Sequence, residues 1–145
     1  MTLSELFQQQ YNLSSESTHL LLKDAERITF NKKEMVIHEG QRNDHIYFVE
    51  KGSVRVFIER EDKQLTLLFA FEGDMAATMP DLSRTPTAKF TLETLETSTL
   101  VKISRSHLEY LFLHSLELAN WGRKLIEKSM QEYEHYFMEY YWVDK

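Results

Sequence analysis

The chain has 145 residues, a formal net charge of −6, 42% hydrophobic and 28% charged side chains, and no cysteine. That is enough for one domain with its own core, and it excludes a disulfide framework, a thiolate metal site and a cysteine nucleophile. The acidic balance disfavours direct nucleic-acid binding, which needs clustered Lys and Arg; with no long apolar run and no signal-like start, a cytoplasmic protein without a membrane segment is expected.

Residues 3–11 and 15–28 read as short helices. In the second, Leu20, Leu21, Asp24 and Ala25 through Ile28 form a helical stripe, with Ser15 or Ser17 as N-cap. From Phe30 the period changes to two. Met35 and Ile37, then Ile46 and Phe48, alternate with charged or polar neighbours. His38-Glu39-Gly40-Gln41 is a turn between strands. Lys51-Gly52 joins 46–50 to 53–58 as a hairpin. Glu61-Asp62-Lys63 is a polar turn leading from 54–59 into 65–71, and Glu72-Gly73-Asp74 is the next turn. Gly40, Gly52 and Gly73 are each suited to positive φ in a tight turn. Residues 75–88 contain Pro80, Pro86 and the small Ala76, Ala77 and Thr78, and read as a loop with room for one helical turn. Residues 90–95 and 99–103 are the closing strands.

A single amphipathic helix is expected from 106 to 141, capped by Ser104 or Ser106 with Glu109 completing a capping box. Leu108, Leu111 and Phe112 should pack on the strands. Ala119, Gly122, Ile126, Ser129 or Met130, Tyr133, Phe137 and Tyr140 fall at three- and four-residue steps, a coiled-coil-like seam. The small Ala119 and Gly122 would let two helices approach closely. Such a helix is roughly 50 Å long at 1.5 Å per residue, with more apolar surface than a small domain covers alone. A homodimer is therefore expected, the alternative being a helix folded back on its own strands. The aromatic residues Tyr133, Tyr136, Phe137, Tyr140, Tyr141 and Trp142 suit a dimer core better than a nucleotide-stacking platform. The fold class is α+β, mainly a double-stranded β-roll (a cupin-like jelly roll) with short N-terminal helices and one long C-terminal dimerisation helix. Its parts are 1–29, the N-terminal helices; 30–104, the roll; and 105–145, the long helix and dimer interface.

No chemistry stands out elsewhere. The six histidines, His19, His38, His45, His107, His114 and His135, lack the close His-x-His spacing of a cupin metal site. There is no nucleophile elbow, no Gly-rich phosphate loop and no paired carboxylates in a cleft. Glu93 and Glu96 are expected to be solvated. No enzyme activity, metal or cofactor is expected.

Glu39-Gly40, His45-Ile46-Tyr47-Phe48-Val49-Glu50-Lys51-Gly52-Ser53-Val54-Arg55-Val56, Phe71-Glu72-Gly73-Asp74 and Leu95-Glu96-Thr97-Ser98-Thr99-Leu100-Val101-Lys102-Ile103-Ser104 resemble the sensor domain of Crp/Fnr-type transcriptional regulators. The resemblance covers residues 30 to about 111 by motif and the long helix by architecture. It implies a cyclic-nucleotide-binding-type β-roll that dimerises through the helix. It also implies an effector pocket whose filling shifts helix packing and so signals to a DNA-reading domain.

In that family a Gly-Glu pair after the Gly-Asp turn and an Arg-Ser or Arg-Thr pair before the next strand hold the ribose and phosphate. Counting from Gly73-Asp74 places the first pair on Ala77 and Thr78. Counting back from Ile103 places the second on Ala88 and Lys89. Tyr133 and Glu134 stand where the helix would contact the base. Arg84 or Lys89 could supply one positive charge, but Lys lacks the bidentate fork of Arg. Ordinary cyclic AMP binding is therefore not expected, and an unknown small effector would be lined by Ala77, Thr78, Arg84, Ala88, Lys89 and Tyr133. Haem sensing occurs in the family, but no motif here supports it. The family continues past this helix into a winged helix-turn-helix, and these residues contain no such pattern. DNA would be reached only through a domain outside this chain, whether the chain is cut from a longer regulator or stands alone. The expected function is effector sensing and dimerisation in a bacterial transcriptional regulator. The alternatives are a ligand-free structural dimerisation module and a cupin-like enzyme, the latter disfavoured by the missing metal set.

Overall fold

The computed structural model describes residues 1–76 and 87–143, and for residues 136 and 140–143 the backbone only. Helix α1 (Leu3–Tyr11) starts at Thr2, whose hydroxyl accepts the Glu5 N–H, and stops at Asn12 in the left-handed region. Helix α2 (Ser15–Leu22) is capped by Ser14, whose hydroxyl accepts the Ser17 N–H at 3.1 Å. The cap is thus Ser14 rather than Ser15 or Ser17. The helix also ends six residues before the expected Ile28.

Residues Glu26–Phe30 instead form strand β1, antiparallel to β7 (Ser98–Ser104), with Ile28 opposite Leu100. The β-branched Ile28 and Thr29 and the aromatic Phe30 suit a pleated surface. Pairing them with β7 also satisfies backbone groups that β7 would otherwise leave open.

The other strands are β2 (Met35–Ile37), β3 (His45–Lys51), β4 (Val54–Arg60), β5 (Lys63–Ala70) and β6 (Thr91–Thr94). They form two antiparallel sheets, ordered β1-β7-β3 and β2-β6-β4-β5. Gly40, Gly52 and Gly73 all have φ between 90° and 100°. At Gly52 a Cβ would also stand 2.2 Å from the Ser98 hydroxyl oxygen, so this turn accepts no side chain. At the tip of the β4–β5 hairpin, Glu61 and Asp62 take positive φ without glycine.

Strand β3 departs from simple alternation because both of its faces are buried. Tyr47 and Val49 point into the roll, where they join Ile37, Val54, Val56, Leu92 and Leu100. Ile46 and Phe48 face the helices, where they join Leu3, Phe7, Leu21, Leu108, Leu118 and Trp121. The rings of Phe48 and Trp121 lie 5.2 and 5.3 Å from that of Phe7, both edge-on, a favoured aromatic geometry. α1 is thereby welded to the base of the last helix.

The C-terminal region is two helices, not one. α3 (Arg105–His114) is capped by Ser104, as one of the two expected caps. It ends at Ser115 with extended dihedrals, and α4 (Leu116–Val143) begins there. The Ser115 hydroxyl accepts the Leu118 N–H at 3.1 Å and its carbonyl accepts the Ala119 N–H. The break lets α3 pack against both β7 and α4. Among the described residues no helix is long and apolar enough to cross a membrane. The whole is an α+β fold.

Candidate functional site

The Glu72-Gly73-Asp74 turn is strung along β3. Gly73 N–H donates to the Val49 carbonyl at 2.8 Å, Val49 N–H to the Asp74 carbonyl at 3.0 Å, and Ala76 N–H to the Tyr47 carbonyl at 2.7 Å. The Asp74 carboxylate has two partners. Oδ2 accepts the Phe71 N–H at 2.9 Å and fixes the turn, while Oδ1 receives Lys128 Nζ at 2.8 Å from α4. α1 closes against the same turn, with the Gln10 amide packed where a Cβ on Gly73 would stand.

Electrostatics follow from this arrangement. Burial of Lys128 disfavours its charge, but the hydrogen bond and charge of Asp74, aided by Tyr11 and Glu132, more than offset that, and its pKa is raised. Burial also raises the carboxyl pKa of Glu132, against the pull of Lys128. The Tyr133 hydroxyl is raised by burial and then by Glu132. Among the described residues, that hydroxyl is buried without a hydrogen-bond partner.

Of the residues expected to line an effector pocket, Ala77, Thr78 and Arg84 lie outside the described residues. Ala88 is half-buried on the apolar cluster between the sheets, beside Phe90. Its N–H donates to the Gln41 carbonyl and its carbonyl accepts the Gly40 N–H, both at 2.7 Å. Lys89 is exposed, and Tyr133 is half-buried on α4. The geometry thus assigns Ala88 to the Gly40 turn, with its backbone donor already used.

Of the seam residues, Ile126, Met130 and Phe137 are about half exposed and share one stripe of α4. Ala119 is half-buried. Gly122 is buried against Phe112 of α3, where a Cβ would lie 2.8 Å from the ring. Its small size therefore serves a contact within the chain. The side chain of Tyr140 lies outside the described residues.

One further expectation is corrected. Glu93 is not solvated; it receives Arg55 Nε at 2.7 Å, and both side chains are largely buried. Glu96 is exposed, as expected, and accepts the Ser53 hydroxyl at 2.7 Å. The histidines do not converge. His107 Nε2 meets the Leu20 carbonyl, His114 Nδ1 meets the Tyr110 carbonyl, and His135 pairs with Glu139. Among the described residues no group of three potential metal ligands comes together.

Sequence reasoning missed the Asp74–Lys128 link, because 54 residues separate its members. It also missed the aromatic weld. The spacing of Leu3, Phe7 and Tyr11 was its signal, one face of a helix that needed a partner.

Comparison with known proteins places these features. Residues 27–115 match the family model "Cyclic nucleotide-binding domain", a binding domain and not an enzyme. No curated protein sequence matches the chain. Among solved structures, FixK2 from Bradyrhizobium japonicum is similar at 19% identity and a TM-score of 0.67, over 79% of this chain and 56% of that one. The catabolite activator protein of Thermus thermophilus is similar at 20% identity and a TM-score of 0.72, over 91% of this chain and 61% of that one. The sensor domain of the transcriptional regulator DNR from Pseudomonas aeruginosa is similar at 19% identity and a TM-score of 0.70, over 86% of this chain and 91% of that one. The chain thus spans less than two thirds of the first two proteins and nearly all of the isolated sensor domain. It shares its fold with regulators of the Crp/Fnr type, and by the match across 27–115 it belongs to the cyclic nucleotide-binding domain family.

Proposed function

We propose that this chain is the effector-sensing and dimerisation domain of a cytoplasmic Crp/Fnr-like transcriptional regulator, and that it does not bind cyclic AMP in the family's usual way. The observation that carries the reading is the stripe of Ile126, Met130 and Phe137 on α4, three large apolar side chains each about half exposed. They recur at four and seven residues, the period of a helix seam that a second copy would cover. The partner is a second copy of this chain; DNA would be reached only through a domain outside these residues, and no cofactor is assigned.

Against ordinary cyclic AMP stands the chemistry at the counted phosphate positions. Ala88 carries no charge and spends its N–H on Gln41, and Lys89 offers a point charge without a fork. Tyr133 places a bulky ring where the family has a small hydroxyl.

Two measurements test this. In thermal unfolding, cyclic AMP should give no shift, whereas binding at 100 times the dissociation constant would add about 2.7 kcal/mol and raise the midpoint by several degrees. Such a rise overturns the pocket reading. No shift with cyclic nucleotides, small anions or haem would favour the ligand-free dimerisation module. In sedimentation, the wild type should be a dimer and Ile126→Asp a monomer. A monomeric wild type removes the dimer reading.

A further inference from the structure

We propose that the Asp74–Lys128 ion pair sets the angle at which α4 leaves the roll, and that Lys128 is thereby a positioning residue for the dimer stripe. The inference rests on the proposed dimer for its consequence but on the geometry of one chain for its cause.

α4 has two mechanically different halves. Leu118, Trp121, Gly122 and Leu125 are buried and fix its base in the core. After Leu125 the apolar side chains Ile126, Met130 and Phe137 are about half exposed. The first ionic tether beyond the base is Lys128, one turn later, reaching the Gly73–Asp74 turn. Packing at the base fixes a pivot; α4 also touches β5, and Tyr133 beyond the base is half-buried. A 2.8 Å charge-assisted hydrogen bond at Lys128 restrains the tilt about that pivot.

The lever multiplies. Taking Trp121 as the pivot, Lys128 is seven residues out and Phe137 sixteen, so a 1 Å shift at Lys128 becomes roughly 2 Å at Phe137 for a helix of constant rise. A seam of interdigitating side chains does not survive such an offset without repacking. Asp74 suits the role because its second oxygen is held by the Phe71 N–H, so the carboxylate is anchored to the turn and transmits its position. The turn in turn hangs on β3 through Val49 and Tyr47.

The test uses variants that keep shape. Lys128→Met retains the stem that packs on the neighbours and removes only the charge. Asp74→Asn retains an acceptor for Phe71 N–H. Lys128→Arg restores the cation. Two readouts are taken together: the dimer dissociation constant by sedimentation, and amide hydrogen exchange across 126–139 compared with β4. We expect Lys128→Met and Asp74→Asn each to weaken the dimer by about tenfold, the loss of one charge-assisted contact's worth of positioning. Exchange in 126–139 should quicken while β4 is unchanged, and Lys128→Arg should match the wild type. High salt, at about 0.5 M, should move the wild type toward the Met variant. Unchanged exchange and an unchanged dimer in both charge-removing variants would overturn the proposal, as would an Arg variant as impaired as Met. If the wild type is monomeric the dimer reading falls, and the exchange comparison still decides whether the pair holds α4.

Discussion

The ring of Phe112 on α3 occupies the space that a side chain on Gly122 of α4 would need, its Cζ lying 2.8 Å from the position of a Cβ. The two helices cross there with no room between them. Gly122→Ala gains about 1 kcal/mol of helix propensity but forces the ring aside at an overpacking cost of about 1–3 kcal/mol. A net loss of about 1 kcal/mol is expected, or about 3 °C in the unfolding midpoint for a chain of this size. In a Phe112→Leu background the same substitution should be neutral or stabilising. If Gly122→Ala instead leaves the midpoint unchanged and weakens only dimerisation, the residue belongs to a contact between copies and this packing account fails.

Glu50 fastens the start of α1 to the roll. Its carboxylate receives both Nε and Nη2 of Arg27, at 2.5 and 2.8 Å, and the Leu3 N–H at 2.9 Å. The hydrogen bond from Arg27, opposed by burial and aided by the Leu3 N–H, lowers the Glu50 pKa. A carboxyl depressed in the folded state contributes stability above its unfolded value of about 4.3 and loses it as pH falls through the folded value. Glu50→Gln should therefore cost about 1–3 kcal/mol at neutral pH. The wild-type and variant stability curves should converge below about pH 4. Parallel curves over that range would show that the carboxylate's ionisation does not matter to the fold.

How much was legible in the sequence depended on whether a residue's role was local. The glycine turns, the β4–β5 turn and the Ser104 cap were readable because each is decided within four or five residues. The hairpin expected at Lys51-Gly52 is corrected: β3 pairs with β7 and β4 with β5 and β6, so this turn carries the chain from one sheet to the other. Ile28 was misread because the apolar steps from Leu20 onward fit a helix as well as a strand, and only the β7 edge, 72 positions on at Leu100, decides between them. Glu93 was misread for the same reason: its partner Arg55 is on β4, opposite it in register. Asp74 was legible as a turn residue but not as the acceptor for Lys128. Periodicity shows that a helix has a face, not which surface it meets.

The β4–β5 hairpin carries backbone strain at its tip. Glu61 and Asp62 have φ of 54° and 63°, and Arg60 and Lys63 pair across the turn, so both central residues of a two-residue loop are left-handed. That geometry favours Asn-Gly or Asp-Gly. Asp62→Gly should raise stability by about 0.5–1 kcal/mol, since glycine takes positive φ without the Cβ penalty. Thermal unfolding reads this directly. A loss of stability would mean that the Asp62 side chain stabilises the turn by more than its backbone strain costs.

Ser115 decides whether the C-terminal region is one helix or two. Its dihedrals are extended, its hydroxyl accepts the Leu118 N–H, and it separates Leu113 from Leu116, which are 82% and 79% exposed. A continuous helix through this point would draw Leu118, Trp121 and Leu125 away from Phe7 and Phe48, so core packing opposes it. Ser115→Ala should therefore cost about 1 kcal/mol through the lost cap, without fusing α3 and α4. Exchange of the Leu118 and Ala119 amides should quicken more than that of amides near Leu125. A variant in which these amides become better protected, with the far end of α4 displaced, would mean that the cap rather than the aromatic weld holds the two helices apart.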